Sequence, residues 1–386
     1  MRKVLFIHDG PRWKDTKGTQ YGTKADLDMC ARYSYLGDQV EFVMRVFKTD
    51  DTSKLIDLNE NGLYINEIVP FNRPVLLKNY LKSKKQIIDH VEKADVLVIR
   101  LPSTIGSVAL NYAKKISKPY IVELVACPWD SLRNHSTLGI FYAPFSYMKL
   151  KNLVVDARFV IYVTNRFLQD RYPTKFNNIS LSDVVLYDFP KINYKQISYK
   201  NFDLQKKITI TTLGVVNLAY KGQQYVLKAM SSLIFQGYDL FYIIVGGGDN
   251  SQLKCLANKL GLQDRVVFLG KIAHNEIFKV LEETDLYIQP SETEGMPRSL
   301  IEAMSRGCAC IGSNAGGIPE LLDKSVIFKS KNVESLKSTI KSLLIKEKMV
   351  EHSIKNFEQA KNFEFEVLDS KRKVFYDKFL KSLNEK

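Results

Sequence analysis

Short runs of β-branched and aromatic residues alternate with longer stretches of helical periodicity, and the alternation happens twice. In the first half the runs are Val4–Ile7, Val40–Met44, Val96–Ile99, Tyr120–Leu124 and Phe159–Val163. In the second half they are Thr209–Leu213, Phe241–Val245, Val266–Leu269, Leu286–Ile288, Cys310–Gly312 and Val326–Phe328. Parallel strands need long crossovers, usually helical, so this pattern predicts parallel sheets with helices on both faces. Between Tyr187 and Lys206 the period lapses into a stretch with Pro190 and several Asn and Lys, and it restarts at Thr209. The predicted fold class is therefore α/β, with two doubly wound, Rossmann-like domains. The boundaries are 1–190 for the first domain, 191–207 for a linker, and 208–364 for the second domain. Residues 365–386 form a helix that packs back on the first domain. A chain of 386 residues suits two domains of about 100–200 residues each. In such sheets ligands lie outside the carboxyl ends of the strands, which directs attention to the cleft between the domains.

Bulk properties narrow the class. Hydrophobic residues at 45% and charged residues at 25% exclude extended disorder. The apolar run after Met1-Arg2-Lys3 is too short for a signal peptide, and no apolar stretch reaches the roughly 18 residues of a membrane span. Five scattered cysteines fit a reducing cytoplasm, and Cys308 and Cys310 lack the second pair a zinc site needs. The net charge of +14 favours an anionic partner: nucleic acid, a membrane face or a phosphate-bearing substrate. No nucleic-acid motif is present and the lysines are dispersed, so nucleic acid is set aside.

Four features fall at strand ends of the second half. Leu213-Gly214 is followed by Lys221-Gly222 and a helical pattern over 223–235. A lysine near a helix start can meet a phosphate as a point charge, although a solvated lysine is the commoner case. Gly246-Gly247-Gly248-Asp249 directly follows a strand, where glycine permits close approach of a ligand or forms an ordinary turn. The third and most specific is Ser291-Glu292-Thr293-Glu294-Gly295-Met296-Pro297-Arg298, leading into Ser299-Leu300-Ile301-Glu302-Ala303-Met304. Pro297 suits a first helical position and Gly307 a helix stop. Glu294 and Gly295 then precede a helix N-terminus whose free N–H groups and dipole favour an anion. Glu302 follows Glu294 by eight residues, about two turns into the helix. One carboxylate can meet a sugar at the helix mouth and the other a ribose diol deeper in. The fourth feature is Gly316-Gly317-Ile318-Pro319-Glu320, paired glycines entering another helix start.

Together, in this order, these features resemble glycosyltransferase family 4, the retaining transferases with the GT-B fold. The resemblance covers about 208–330 and is tightest from Pro290 to Glu320. It implies a donor nucleotide sugar, such as a UDP- or GDP-sugar, bound by the second domain with no metal and no cofactor. It places Lys221 on the diphosphate, Glu294 on the donor sugar, and Gly295, Met296 and Pro297 beside sugar and phosphate. Glu302 holds the ribose, Gly270 and Lys271 lie by the base, and Gly214, Gly246 and Gly247 complete the donor site. Charge on the departing diphosphate would be met by Lys221 and helix-end amides.

The chain departs from the family pattern in three places. Val215 and Val216 stand where an arginine usually follows the first glycine, and Arg298 is the candidate replacement. After Tyr120–Leu124 the usual histidine is absent; Asp130 or Glu123 stands in that space, with His135 further on, and Asp130 is the candidate catalytic carboxylate beside Lys221 and Glu294. The first loop reads Gly18-Thr19-Gln20-Tyr21-Gly22, without a glycine pair, and Gly18, Gln20, Tyr21 and Gly22 are expected to line the cleft on the acceptor side.

The stretch 138–151 is apolar, aromatic and lysine-edged, and Lys78, Lys82, Lys84 and Lys85 form a second basic cluster. Such a surface would dock on an anionic leaflet; the alternative, a helix packed in the core with wet lysine ends, is weighted slightly higher. The expected function is transfer of a sugar to a glycan or lipid-linked glycan in bacterial surface polysaccharide synthesis. The setting is cytoplasmic, on the inner membrane face. A nucleotide-sugar epimerase or hydrolase, or a non-catalytic nucleotide-sugar-binding protein, are the alternatives.

Overall fold

The computed structural model describes residues 1–53, 55–71, 78–135, 137–199 and 202–385. Strands form where the apolar runs were read, and they build two sheets. The first contains β1 (Lys3–Lys14), β2 (Gln20–Gly22), β3 (Gln39–Lys48), β4 (Ile56–Asp57), β5 (Ile65–Glu67), β6 (Val96–Leu101), β7 (Tyr120–Leu124), β8 (Phe159–Tyr162) and β9 (Asn177–Ser180). Its parallel body runs β5-β3-β1-β6-β7-β8-β9. The far end of β1 runs past β6, stays paired with β3 on one side and pairs antiparallel with β2 on the other, which in turn pairs with β4. The second sheet contains β10 (Ile208–Leu213), β11 (Leu240–Val245), β12 (Val266–Gly270), β13 (Leu286–Gln289), β14 (Ala309–Ser313) and β15 (Ile327–Phe328). Its order is β12-β11-β10-β13-β14-β15, all parallel. This is the doubly wound order, with its switch point between β10 and β13. The two sheets with helices on their faces give the GT-B architecture.

The central strands are buried on both faces, which is why they read as unbroken apolar runs rather than alternating ones. The aperiodic stretch around 191–207 contains a short helix, Tyr194–Tyr199. Its Tyr199 hydroxyl donates to Asp285 O at 2.6 Å and accepts from Ala309 N at 3.0 Å, anchoring it to the second sheet. The helix Phe365–Asn384 returns to the first sheet, where Phe375 and Phe379 stand 5.7 and 5.1 Å from the Phe159 ring. The chain crosses between the halves twice, side by side. Leu186 N donates to Phe363 O at 2.8 Å, and Phe365 N donates to Leu186 O at 3.1 Å.

Candidate functional site

The turns ending β10, β11 and β12 interlock. Gly214 N donates to Val245 O at 2.8 Å, Gly246 N to Gly270 O at 2.9 Å and Val216 N to Gly247 O at 3.1 Å. A Cβ on Gly246 would lie 1.9 Å from Gly214 O, so only glycine lets these backbones touch. Lys271 borders Gly247, with its Cβ 3.6 Å from where a Cβ there would be. Thus Gly214, Gly246, Gly247, Gly270 and Lys271 form one rim. Gln223, buried at the start of the helix Gln223–Phe235, reaches back to Gly214 O at 3.3 Å and Val215 O at 3.4 Å and holds the first turn.

Across the switch point, Glu292 N donates to Tyr220 O at 2.7 Å, bringing the Lys221 loop onto the segment after β13. Lys221 Nζ and Glu294 Oε1 pair at 2.7 Å, with side chains 22% and 13% exposed. The same oxygen accepts from Ser291 Oγ at 2.8 Å and Gln289 Nε2 at 3.3 Å. Gln289 Oε1 in turn accepts from Tyr287 OH at 2.7 Å and Ser299 Oγ at 2.9 Å, so the Glu294 carboxylate rests on a buried polar ladder. Gly316 supports the loop from behind. Its φ of +55° is left-handed, and a Cβ there would stand 1.9 Å from Glu294 O.

The helix Arg298–Ser305 begins one residue later than the sequence suggested, with Pro297 as its extended N-cap. Glu302 is therefore the helix's fifth residue, little more than one turn in. Its side chain is 5% exposed and bonds His274 Nε2 at 2.9 Å, while the His274 side chain is 61% exposed. His274 lies three residues after Lys271, so Glu302 and the Gly270–Lys271 rim share one end of the groove. Met296 is half-buried and packs against the cores of both halves. Arg298 is exposed and makes no hydrogen bond or ion pair among the described residues. The Gly316–Glu320 motif forms a 3-10 turn, Ile318–Glu320, rather than a longer helix.

On the first half the outcome differs from expectation. Asp130, on the helix Pro128–His135, pairs with Arg171 at 2.8 Å and does not contact Lys221 or Glu294. Glu123 is buried and accepts from Arg100 Nη2 at 2.8 Å and Tyr33 OH at 3.0 Å. Burial pushes its carboxyl up, but the Arg100 and Arg32 charges outweigh this and hold it below the ordinary range. The side chain of His135 lies outside those described. His8, in the middle of β1 just past its last pairing with β6, accepts from Gly10 N through Nδ1 at 3.1 Å. Burial, then the Arg100 charge, lowers its pKa to about 4.

The first loop does not present Gln20 to a cleft. Its amide closes on Ile65, donating to the carbonyl at 2.8 Å and accepting from the N–H at 2.8 Å. Gly22 is buried against Asp26 and Leu58, Tyr21 OH donates to Asp15 at 3.3 Å, and Gly18 forms an exposed left-handed turn. These four residues build the β1–β2–β4 ribbon. The polar sequence hid that ribbon because β2 and β4 are only three and two residues long.

The lysine-edged aromatic stretch forms the helix Thr137–Val154, and its aromatic face is not in the core: Phe141 is 81% and Phe145 66% exposed. The more heavily weighted reading, a core helix, is thereby overturned for this face. Lys78, Lys82, Lys84 and Lys85 are likewise exposed, on and just before the helix Tyr80–Lys93. Among the described residues, no helix is long and apolar enough to cross a membrane, and no three His, Cys, Asp or Glu side chains are grouped as metal ligands.

Comparison with known proteins identifies the relatives. The family model described as glycosyl transferases group 1 matches residues 195–360. Protein CapJ of Staphylococcus aureus is 31% identical over 99% of this chain and 97% of its own length. An N,N'-diacetylbacillosaminyl-diphospho-undecaprenol alpha-1,3-N-acetylgalactosaminyltransferase of Campylobacter jejuni is 26% identical over 49% of this chain and 50% of its own. Among solved structures, Anabaena HepE in complex with UDP and glucose superposes over the whole of both chains with a TM-score of 0.67 and 16% identity.

Proposed function

Because the chain belongs to the group 1 glycosyl transferases, we propose that it is a retaining, metal-independent transferase that moves a sugar from a UDP- or GDP-sugar to a glycan or lipid-linked glycan in bacterial surface polysaccharide synthesis. The observation that carries the reading is the meeting of Lys221 and Glu294, from two strand ends either side of the switch point, at 2.7 Å. A departing diphosphate needs a cation and N–H donors where its charge develops. Lys221 and the backbone N–H groups of Gly295 and Met296 supply them, and Glu294 faces the sugar. Glu302, already bonded to an exposed imidazole, exchanges that partner for the ribose hydroxyls. Gly270 and Lys271 lie by the base. The anomeric carbon of the donor, short of electrons as its bond to the diphosphate breaks, receives the acceptor hydroxyl on the face the diphosphate leaves.

The exposed aromatic helix 137–154 and the neighbouring lysines support a peripheral site on an anionic cytoplasmic leaflet, where a lipid-linked acceptor would be presented. The test is turnover over a panel of UDP- and GDP-sugars with lipid-linked acceptors, with and without chelator, and NMR of the product anomer. Retention, an absolute need for acceptor and full activity in chelator are expected. An inverted product, turnover of donor alone, or activity restored only by a divalent cation would each overturn the corresponding part of the reading.

A further inference from the structure

The carboxylate of Glu320 faces the other half of the molecule. Its oxygens accept from three consecutive backbone N–H groups of the first half: Asn165, Arg166 at 3.1 Å and Phe167 at 2.6 Å. These groups run from the loop after β8 into the first residue of the short helix Phe167–Arg171, where the first N–H groups have no intrahelical acceptor. A carboxylate is the strongest side-chain acceptor for such donors. The segment behind Glu320 is locked to the donor loop, since Gly317 N donates to Gly295 O at 2.9 Å. Gly317 also abuts Thr164, whose methyl would lie 3.2 Å from an added Cβ, and a Cβ on Gly295 would stand 2.3 Å from Val125 O. The loop carrying Glu294 is therefore seated directly on the first half.

A second crossing braces its other side. Asn134 Nδ2 donates to Glu292 O at 3.1 Å, and Lys331 Nζ reaches Asn134 Oδ1 at 3.0 Å and Glu292 Oε2 at 2.9 Å. The two first-half helices that receive these contacts are joined by the Asp130–Arg171 pair, which gives Asp130 a structural task.

We propose that Glu320 is a positioning residue for the transfer reaction: its carboxylate latches the two halves together and thereby sets the Glu294–Gly295 loop against the acceptor-side half. This inference rests on the reading of the site as a transferase donor site. Glu320 bonds none of the donor-side residues Lys221, Glu294 or Glu302, so a nucleoside diphosphate binds equally well with the latch open. The fraction of molecules in the closed, reactive arrangement falls when the latch is lost, and turnover falls with it.

The experiment uses the full chain with Glu320→Ala and the isosteric Glu320→Gln. The probe is whichever of UDP, GDP or ADP the wild type binds. Calorimetry gives its affinity, small-angle scattering gives the radius of gyration, and kinetics give kcat. The expectation for Glu320→Ala is an affinity within threefold of wild type, kcat lowered by about tenfold or more, and a larger radius of gyration. Glu320→Gln keeps one acceptor oxygen and should fall between. A purely structural role would instead lower nucleotide affinity and melting temperature while leaving the radius of the folded fraction unchanged. Variants with wild-type radius and kcat overturn the latch. A wild type that binds nucleotide but transfers no sugar overturns the transferase reading alone, and the radius of Glu320→Gln then still decides the latch.

Discussion

Replacing Lys221 with alanine tests the donor site most directly. Lys221 Nζ is the cation paired with Glu294 Oε1, and the carboxylate's other partners, Ser291 and Gln289, are neutral. In the unliganded protein the loss is small. The two side chains are part-buried, 22% and 13% exposed, and the carboxylate keeps its Ser291 and Gln289 donors when the cation is lost, so the cost to stability is about 1 kcal/mol. In the reaction the loss is larger, because a preorganised donor aimed at developing charge contributes about 10²–10³-fold, or roughly 2.7–4 kcal/mol. No arginine follows Gly214 to share the load, and Arg298 stands exposed without an ion pair among the described residues. Lys221→Ala should therefore fold with a nearly unchanged melting temperature yet lose kcat by about 10²–10³-fold. Binding of a nucleoside monophosphate, which lacks the β-phosphate, should hardly change. The assay pairs saturating-donor kinetics with calorimetry of mono- and diphosphate. A kcat within threefold of wild type would refute the argument and move the phosphate charge to another cation, with Arg298 next to be removed.

Glu302→Ala should weaken nucleoside diphosphate binding by about 1.5–3 kcal/mol, or roughly 10- to 150-fold, whereas His274→Ala should leave it unchanged or tighter. A loss confined to His274→Ala in calorimetry would show that the imidazole, not the carboxylate, meets the ligand. His8 is held neutral by burial, with its pKa lowered from 6.5 to about 4, and protonation would also destroy its bond from Gly10 N. The unfolded chain binds this proton more readily, so stability should be flat above pH 6.5 and decline as pH falls from about 6.5 towards 4, by at most about 3 kcal/mol. Urea titrations at pH 7.5 and 5.0 should show a smaller difference for His8→Gln; an identical difference would remove His8 as the cause. Phe141→Ser with Phe145→Ser should reduce sedimentation with anionic vesicles while kcat on a soluble acceptor stays constant. Equal wild-type binding to neutral and anionic vesicles would contradict the basic-aromatic docking surface.

Much of this arrangement is legible in the sequence, and the reason is physical. Strands such as Val96–Leu101 and Leu286–Gln289 are covered on both faces and so carry continuous apolar runs that announce themselves. The interlocking turns after β10, β11 and β13 were readable because their glycines and carboxylates are local signals at strand ends. What stayed hidden depends on distant pairs. The strands β2, β4 and β9 are short and polar, and Gln20 looks like a free loop residue until Ile65 is folded onto it. Nothing near Glu320 in sequence marks it as a contact, because its three donors lie 153 to 155 residues away. His274 shows no motif at all and is recognised only through its distance to Glu302. Asp130 was placed by position after a strand, but its direction is fixed by Arg171, which no local pattern reveals.

The return of the Phe365–Asn384 helix to the first sheet bears on how the chain is made. Phe159 emerges from the ribosome long before Phe375 and Phe379, the rings that cover it. At about 5–20 residues per second, the 216 residues from Phe159 to Phe375 take roughly 10–40 seconds to synthesise. Throughout that interval the nascent first half presents an uncovered aromatic face, while the segments of the second sheet, 208–328, are translated. The half that is translated first is thus the half completed last, and its exposed face is where a chaperone would engage the growing chain.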